Sequence, residues 1–223
     1  MKPIPGFPFR SRFHSVDGVR LAYVDQGKGE PIVLLHGNPT WGYLYRKFIP
    51  PLAKKNRVIV PDHMGFGRSD KPLDPSLYRL PRHIQNLESL LLALDVKNAT
   101  LVMQDWGGPI GLGFAVRRPN RIKRLVILNT WAWVIPEGTR IHPLLEQFRT
   151  PGLGEALVQG LNLFVEGFLP AGIAKKARVA VEPDCLTLLR LFRRFFPASG
   201  YGLTVQTSGT RGPSVKTAAP SNP

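Results

Sequence analysis

Cysteine is almost absent from this chain: Cys185 is the only one in 223 residues. A single thiol can form no internal disulfide, so nothing points to an oxidising compartment. Long apolar runs are missing too, and none approaches the roughly 20 residues that a membrane-spanning helix needs. The start, Met1-Lys2-Pro3-Ile4-Pro5-Gly6, lacks the apolar stretch of a secretory signal. The resulting expectations are a cytoplasmic location and no membrane partner. There are no internal repeats. Histidine is rare as well: His14, His36, His63, His83 and His142 are all there are, and none follows His142.

Acidic residues are scarce. Fifteen Asp and Glu face thirty Lys and Arg, a formal net charge of +15. Such a balance invites a nucleic-acid reading. The cations are scattered, however, from Arg10 and Arg12 through Lys54, Lys55 and Arg117 to Arg193 and Arg194, and no nucleic-acid motif accompanies them. Many fall at predicted helix ends, where they complement the dipole. Solvated surface is the reading, with no nucleic-acid partner. The apolar fraction of 43% is ordinary for a globular protein, and the length suffices for one domain with a real core.

Period and punctuation give the order of elements. Asp17-Gly18 followed by alternating Val19 to Val24 reads as the second arm of a hairpin. Short apolar strands are predicted at Ile32 to Leu35, Val58 to Val60, Leu101 to Met103 and Arg124 to Asn129. Between them, Trp41 to Ala53 is predicted as a helix that Pro50-Pro51 must bend or end. Pro81 to Leu94 is predicted as an amphipathic helix with Ile84, Leu87, Leu90, Leu91 and Leu94 on one side. Strands alternating with helices mean an α/β fold with a mostly parallel, doubly wound sheet. After Asn129 helices dominate. The last 26 residues, 198–223, are Gly, Ser, Thr, Pro and Ala with few apolar anchors, and are predicted to be a disordered tail with at most one short strand at Tyr201 to Val205.

Chemistry concentrates at Gln104-Asp105-Trp106-Gly107-Gly108. This segment follows the strand Thr100 to Met103 and precedes the helix Pro109 to Val116. A strand, a glycine-rich turn and a helix hold the central residue on a strained elbow at the carboxyl edge of the sheet. That residue is Asp105, a carboxylate able to form an ester with carbon, and the helix N-terminus favours its ionised form. A plainer role is an aspartate cap on that helix. Two more segments bear on the choice. Pro31-Ile32-Val33-Leu34-Leu35-His36-Gly37-Asn38-Pro39-Thr40-Trp41 is a strand running into a His-Gly-x-Pro turn. Arg57 to Val60 is a strand that continues through Pro61-Asp62-His63-Met64-Gly65-Phe66-Gly67-Arg68-Ser69-Asp70, which carries Asp-x-x-Gly-x-Gly-x-Ser.

In this order the three segments resemble the α/β-hydrolase family, and within it the haloalkane dehalogenases most, with epoxide hydrolases next. The resemblance runs from about Phe13 to Trp133 and weakens toward Pro197. It implies that residues 1–130 form the hydrolase core and 131–197 a helical cap over the active site. It implies Asp105 as nucleophile, and Trp106 and Asn38 as halide-binding residues whose backbone N–H groups also form the oxyanion hole. Neutral indole and amide donors suit a weakly basic anion in a dry pocket. The substrate implied is a small apolar halogenated molecule, with a halide ion released and no metal or organic cofactor. His36 is read as a turn-stabilising residue. One departure is Met103, where the serine version of the elbow has Gly.

The resemblance also calls for a histidine base near the chain's end and an acid after the sixth or seventh strand. Neither is found: no histidine follows His142, and Asn129-Thr130-Trp131 stands after the sixth strand. The expectation is therefore a dehalogenase-like chain without its last strands, with Leu125 to Leu128 as an open apolar edge and turnover in doubt. Two alternatives stand beside it. Epoxide hydrolysis shares the Asp elbow but needs cap tyrosines, and none lies between Trp131 and Pro197. The other is a non-catalytic fragment.

Overall fold

The computed structural model describes residues 4–132, 143–148, 150–164 and 205–207. A hairpin comes first: strand β1 (Arg12–Val16) pairs antiparallel with β2 (Val19–Gln26). Asp17 and Gly18, both at positive φ, make the two-residue turn, which matches the twist of the arms. Then come β3 (Pro31–Leu35), β4 (Arg57–Pro61), β5 (Ala99–Gln104), β6 (Ile122–Leu128) and a short β7 (Val205–Thr207). The strand order is β1-β2-β4-β3-β5-β6-β7. The four central strands β4, β3, β5 and β6 run parallel, and antiparallel pairs close both sides. The core is thus the predicted α/β sheet, and its order reverses direction at β3, where crevices form beyond the strand ends.

The strands alternate strictly between two cores. Ile32, Leu34, Val58, Val60 and Val102 point to one face, where Tyr45, Phe48, Ile49 and Leu52 cover them. Val33, Leu35, Ile59, Leu101 and Met103 point to the other, under helices α2 (Leu80–Ala93) and α3 (Gly107–Arg117). Period-two alternation in strands buried on both sides is what fills two layers at once. On α2, Ile84, Leu87, Leu90 and Leu91 are the buried stripe, worth roughly 6–12 kcal/mol at 1.5–3 kcal/mol each. Pro81 sits in its first turn, where a missing N–H leaves no bond unmade.

One element departs from expectation. Trp41 to Ala53 is not a single helix: a 3-10 turn spans Gly42–Tyr45, and helix α1 (Ile49–Ala53) follows. Pro50 and Pro51 begin α1 rather than end it, because the first-turn N–H groups have no helical acceptor anyway.

The edge at β6 is also different from expectation. Strand β7 (Val205–Thr207) pairs antiparallel with Arg124–Val126. It takes up the ladder groups that an edge strand otherwise leaves open, so the strand foreseen at Tyr201 to Val205 overlaps the observed one at Val205. The rest of the tail lies outside the described residues. Of the predicted cap, 131–197, the described part includes helix α4 (Pro143–Phe148) and the turns Leu153–Glu155 and Ala156–Gly160. Phe148 and Phe164 meet there at 5.2 Å. Most of the remainder lies outside the described residues. Among the described residues, no helix is long and apolar enough to cross a membrane. Many exposed cations are paired, as in Arg117 and Arg118 with Glu88, or Lys123 and Arg124 with Glu30.

Candidate active site

Asp105 follows the last residue of β5 and has φ 51°, the left-handed region that non-glycine residues seldom occupy. Three bonds hold that turn. The Asp105 N–H donates to the Asn129 carbonyl at 3.2 Å, and the Asp105 carbonyl accepts from the Gly108 N–H at 2.9 Å. The Thr130 hydroxyl donates to the same carbonyl. Backbone strain of this kind persists only where the surroundings over-determine it. The end of β6 supplies part of that support because it lies parallel and adjacent to β5.

The loop after β3 supplies the rest. Gly37 lies flat against the Asp105 side chain: a Cβ there would fall 2.3 Å from the aspartate Cβ. This closeness brings the Asn38 N–H to Asp105 Oδ1 at 2.7 Å. The Trp106 N–H also lies near enough to the carboxylate to lower its pKa. Burial raises the Asp105 pKa, and these two N–H groups oppose the rise. The plain capping role does not hold. Trp106, not Asp105, occupies the N-cap position of α3, and the carboxylate reaches across to the β3 loop.

Asn38 and Trp106 therefore adjoin Asp105 through their backbones. Asn38 is exposed, and Trp106 is 43% exposed. Trp131 meets the Trp106 ring edge-on, centroids 5.1 Å apart. Sequence reasoning gave no role to Thr130 or Trp131. The signal was their place just after β6, which the parallel order sets beside Asp105 and Trp106. A carboxylate with two N–H donors on it can do one thing in particular. If Asp105 is esterified, the carbonyl oxygen of the ester stays where those donors already point, so they would receive the negative charge that develops when water attacks.

His36 is a turn-stabilising residue, as expected. Its Nδ1 bonds the Gly37 carbonyl at 2.9 Å, and its Nε2 accepts the His63 N–H at 2.9 Å. His63 Nε2 in return bonds the His36 carbonyl at 3.1 Å. Burial pushes the His36 pKa down to about 4 and that of His63 well below the usual imidazole range. Beside them Asp62 accepts the Gly42 N–H at 2.8 Å and the Arg68 N–H at 2.9 Å. Burial raises its pKa to about 6 despite these bonds. Together the His36–His63 pair and Asp62 tie the β4 loop to the loop that carries Asn38. His14 bonds Ser89, and His142 lies outside the described residues. Among the described residues no histidine is placed as a base for Asp105.

Comparison with known proteins agrees with this geometry. The family model of the alpha/beta hydrolase fold matches residues 30–160. A cis-3-alkyl-4-alkyloxetan-2-one decarboxylase of Shewanella oneidensis is 48% identical over 159 residues, covering 70% of this chain and 50% of that protein. Haloalkane dehalogenase 2 of Mycobacterium tuberculosis is 35% identical over 175 residues, covering 78% and 60%. Among solved structures, the haloalkane dehalogenase DatA of Agrobacterium tumefaciens superposes with a TM-score of 0.69 at 30% identity, covering 87% of this chain and 66% of that one. The chain thus spans about half to two thirds of the length of the relatives it matches.

Proposed function

This chain belongs to the alpha/beta hydrolase fold family, and from that premise we propose that Asp105 is the nucleophile of aspartyl-ester chemistry of the haloalkane dehalogenase type. The observation that carries the reading is the carboxylate on its strained turn with the Asn38 N–H at 2.7 Å. In the first step an Asp105 oxygen attacks an sp³ carbon in line with its halogen. The C–O bond forms as the C–X bond breaks, and halide leaves to the side-chain N–H groups of Asn38 and Trp106. In the second step water attacks the ester carbonyl, the alcohol departs and Asp105 is restored. That step needs a base, for which His142 is the first candidate.

A second reading is favoured by the 48% identity to a protein named for an oxetan-2-one decarboxylase. The same carboxylate can attack the ring carbon that bears the ring oxygen of a disubstituted oxetan-2-one. The C–O bond of the strained ring breaks, leaving a free carboxylate on the neighbouring carbon. Loss of CO₂ then forms the C=C bond and expels Asp105 unchanged. This sequence consumes no water and needs no base to free the nucleophile, whereas ester hydrolysis does.

The two readings separate in one experiment. With a bromoalkane, intact-mass analysis should show one alkyl group added, peptide mapping should place it on Asp105, and Asp105→Asn should abolish it. With a cis-dialkyl oxetan-2-one, the second reading expects alkene and CO₂ over many turnovers without an accumulating adduct. If halide release also continues over many turnovers, His142→Gln should stop it at the ester, a loss of about a hundredfold to ten-thousandfold. No adduct, no halide release and no alkene from a folded chain would refute Asp105 as nucleophile.

A further inference from the structure

Beneath the loop after β4, a cavity of about 10 Å³ lies between that loop and α2, away from Asp105. Such a volume matches the space for the centre of one water molecule. Most of its wall is apolar, including Leu21, Met64 and Leu87. Two of its lining residues, His83 and Asn86, carry polar atoms that are buried and without a protein partner: His83 Nδ1 and Asn86 Oδ1. They stand three residues apart on α2, hence on one side of the helix. Asn86 is only 3% exposed.

These orphans are not an accident of amide orientation. The other amide atom, Nδ2, faces only the Met64 sulfur at 3.9 Å, so exchanging the two atoms leaves an unpaired donor in place of an unpaired acceptor. The polar groups on the facing wall are engaged elsewhere. Asp62 accepts from Gly42 and Arg68, and His63 Nε2 is bonded to the His36 carbonyl. Burial holds His83 below the usual imidazole range, so its ring is neutral and offers one lone pair and one N–H. Buried polar groups left unmade are costly and are usually met by water when space allows.

We infer that the cavity is a binding site for a single ordered water that bonds both His83 Nδ1 and Asn86 Oδ1. Asp62 and His63, which tie the β4 loop to the loop carrying Asn38, also line the cavity. The water is a structural part of the support behind the candidate active site. The inference does not depend on which reaction Asp105 performs.

A crystal structure of the full chain, at a resolution where single waters refine independently, tests this directly. The expected result is one isolated peak within about 2.7–3.2 Å of both atoms. A dry cavity overturns the inference, as does a rotated His83 that bonds a protein group and closes the space. In solution, a water cross-peak to the Asn86 side-chain amide is expected in the unaltered chain. Asn86→Leu should abolish the equivalent cross-peak to the His83 ring while distant signals persist. Persistence of that ring cross-peak in the variant would also overturn it. Should the variant fail to fold, the crystal result on the unaltered chain decides alone.

Discussion

Acidification should weaken this protein well above the pH where surface carboxylates titrate, and His36 should carry much of the loss. The ring is fully enclosed, with Nδ1 on the Gly37 carbonyl and Nε2 taking the His63 N–H. Protonation puts a hydrogen on Nε2, where it meets that N–H. The cost appears as the folded-state pKa of about 4 against 6.5 in the unfolded chain. A base held down in this way stabilises the fold above the unfolded pKa, and the contribution is lost as pH falls from 6.5 toward 4. His63, pushed well below its usual range, acts in the same direction. Asp62 opposes them. With a folded pKa of about 6 against 3.8, its contribution is present at low pH and lost as pH rises through 6. Between pH 6 and 5 unfolding therefore takes up protons on the histidines and releases part of one from Asp62. Each full proton taken up costs about 1.4 kcal/mol of stability per pH unit. Urea denaturation followed by tryptophan fluorescence at pH 5, 5.5 and 6 measures the slope. His36→Gln lowers stability at every pH, and its slope should be shallower by up to about 1.4 kcal/mol per pH unit, since the His36 proton is gone while the other titrations cancel in the comparison. An unchanged slope in the variant would show that His36 is not the group responsible.

Asp62→Ala strands the buried Gly42 N–H and the partly buried Arg68 N–H, and should cost about 2–4 kcal/mol by denaturation at pH 7; a cost under 1 kcal/mol would mean both donors find other acceptors. Gly107→Ala and Gly111→Ala should differ sharply. A Cβ on Gly107 falls 2.3 Å from the Leu35 backbone carbonyl, whereas on Gly111 it meets only the ends of the Met103 and Leu35 side chains. The first should cost about 1–3 kcal/mol by overpacking, and the second less, since Ala gains roughly 1 kcal/mol of helix propensity. Trp106→Phe should change stability little, because the ring is 43% exposed, yet should weaken halide quenching of the remaining fluorescence if its indole N–H binds the ion.

The parts of this molecule legible in its sequence are those in which local pattern and tertiary demand coincide. The strands at Ile32, Val58 and Leu101 are short apolar runs because both of their faces are buried, and α2 shows a clean stripe because only one of its faces is. The elbow was legible because strand, Asp and paired glycines admit few other geometries. Trp41 to Ala53 was misread because its apolar spacing fits a helix, while Pro50-Pro51 fits either an end or a beginning. Only packing against Val58 and Val60 decides between them. Strand β7, Val-Gln-Thr, carries almost no apolar signal in the sequence, and its place is seen only in its pairing with β6.

The support behind Asp105 was the least legible part, and the reason is physical. Thr130 reaches Asp105, and Trp131 reaches Trp106, only because β6 lies beside β5, and Asp62 reaches Gly42 only because β4 lies beside β3. Strand adjacency of that kind leaves no mark on local composition. His36 was legible as a turn residue, but its partner His63, 27 positions away, was not. The elbow that carries Asp105 is thus written in five consecutive residues, whereas the groups that hold the N–H donors beside it in line are distributed over three loops. Substitutions at those loops should therefore change the chemistry of Asp105 without touching it. Asp62→Asn is the sharpest case: it keeps one acceptor for Gly42 or Arg68 but turns an N–H against the other. Its rate of adduct formation with a bromoalkane should fall while Asp105 remains intact, and an unchanged rate in a folded variant would show that the Asn38 loop holds its place without Asp62.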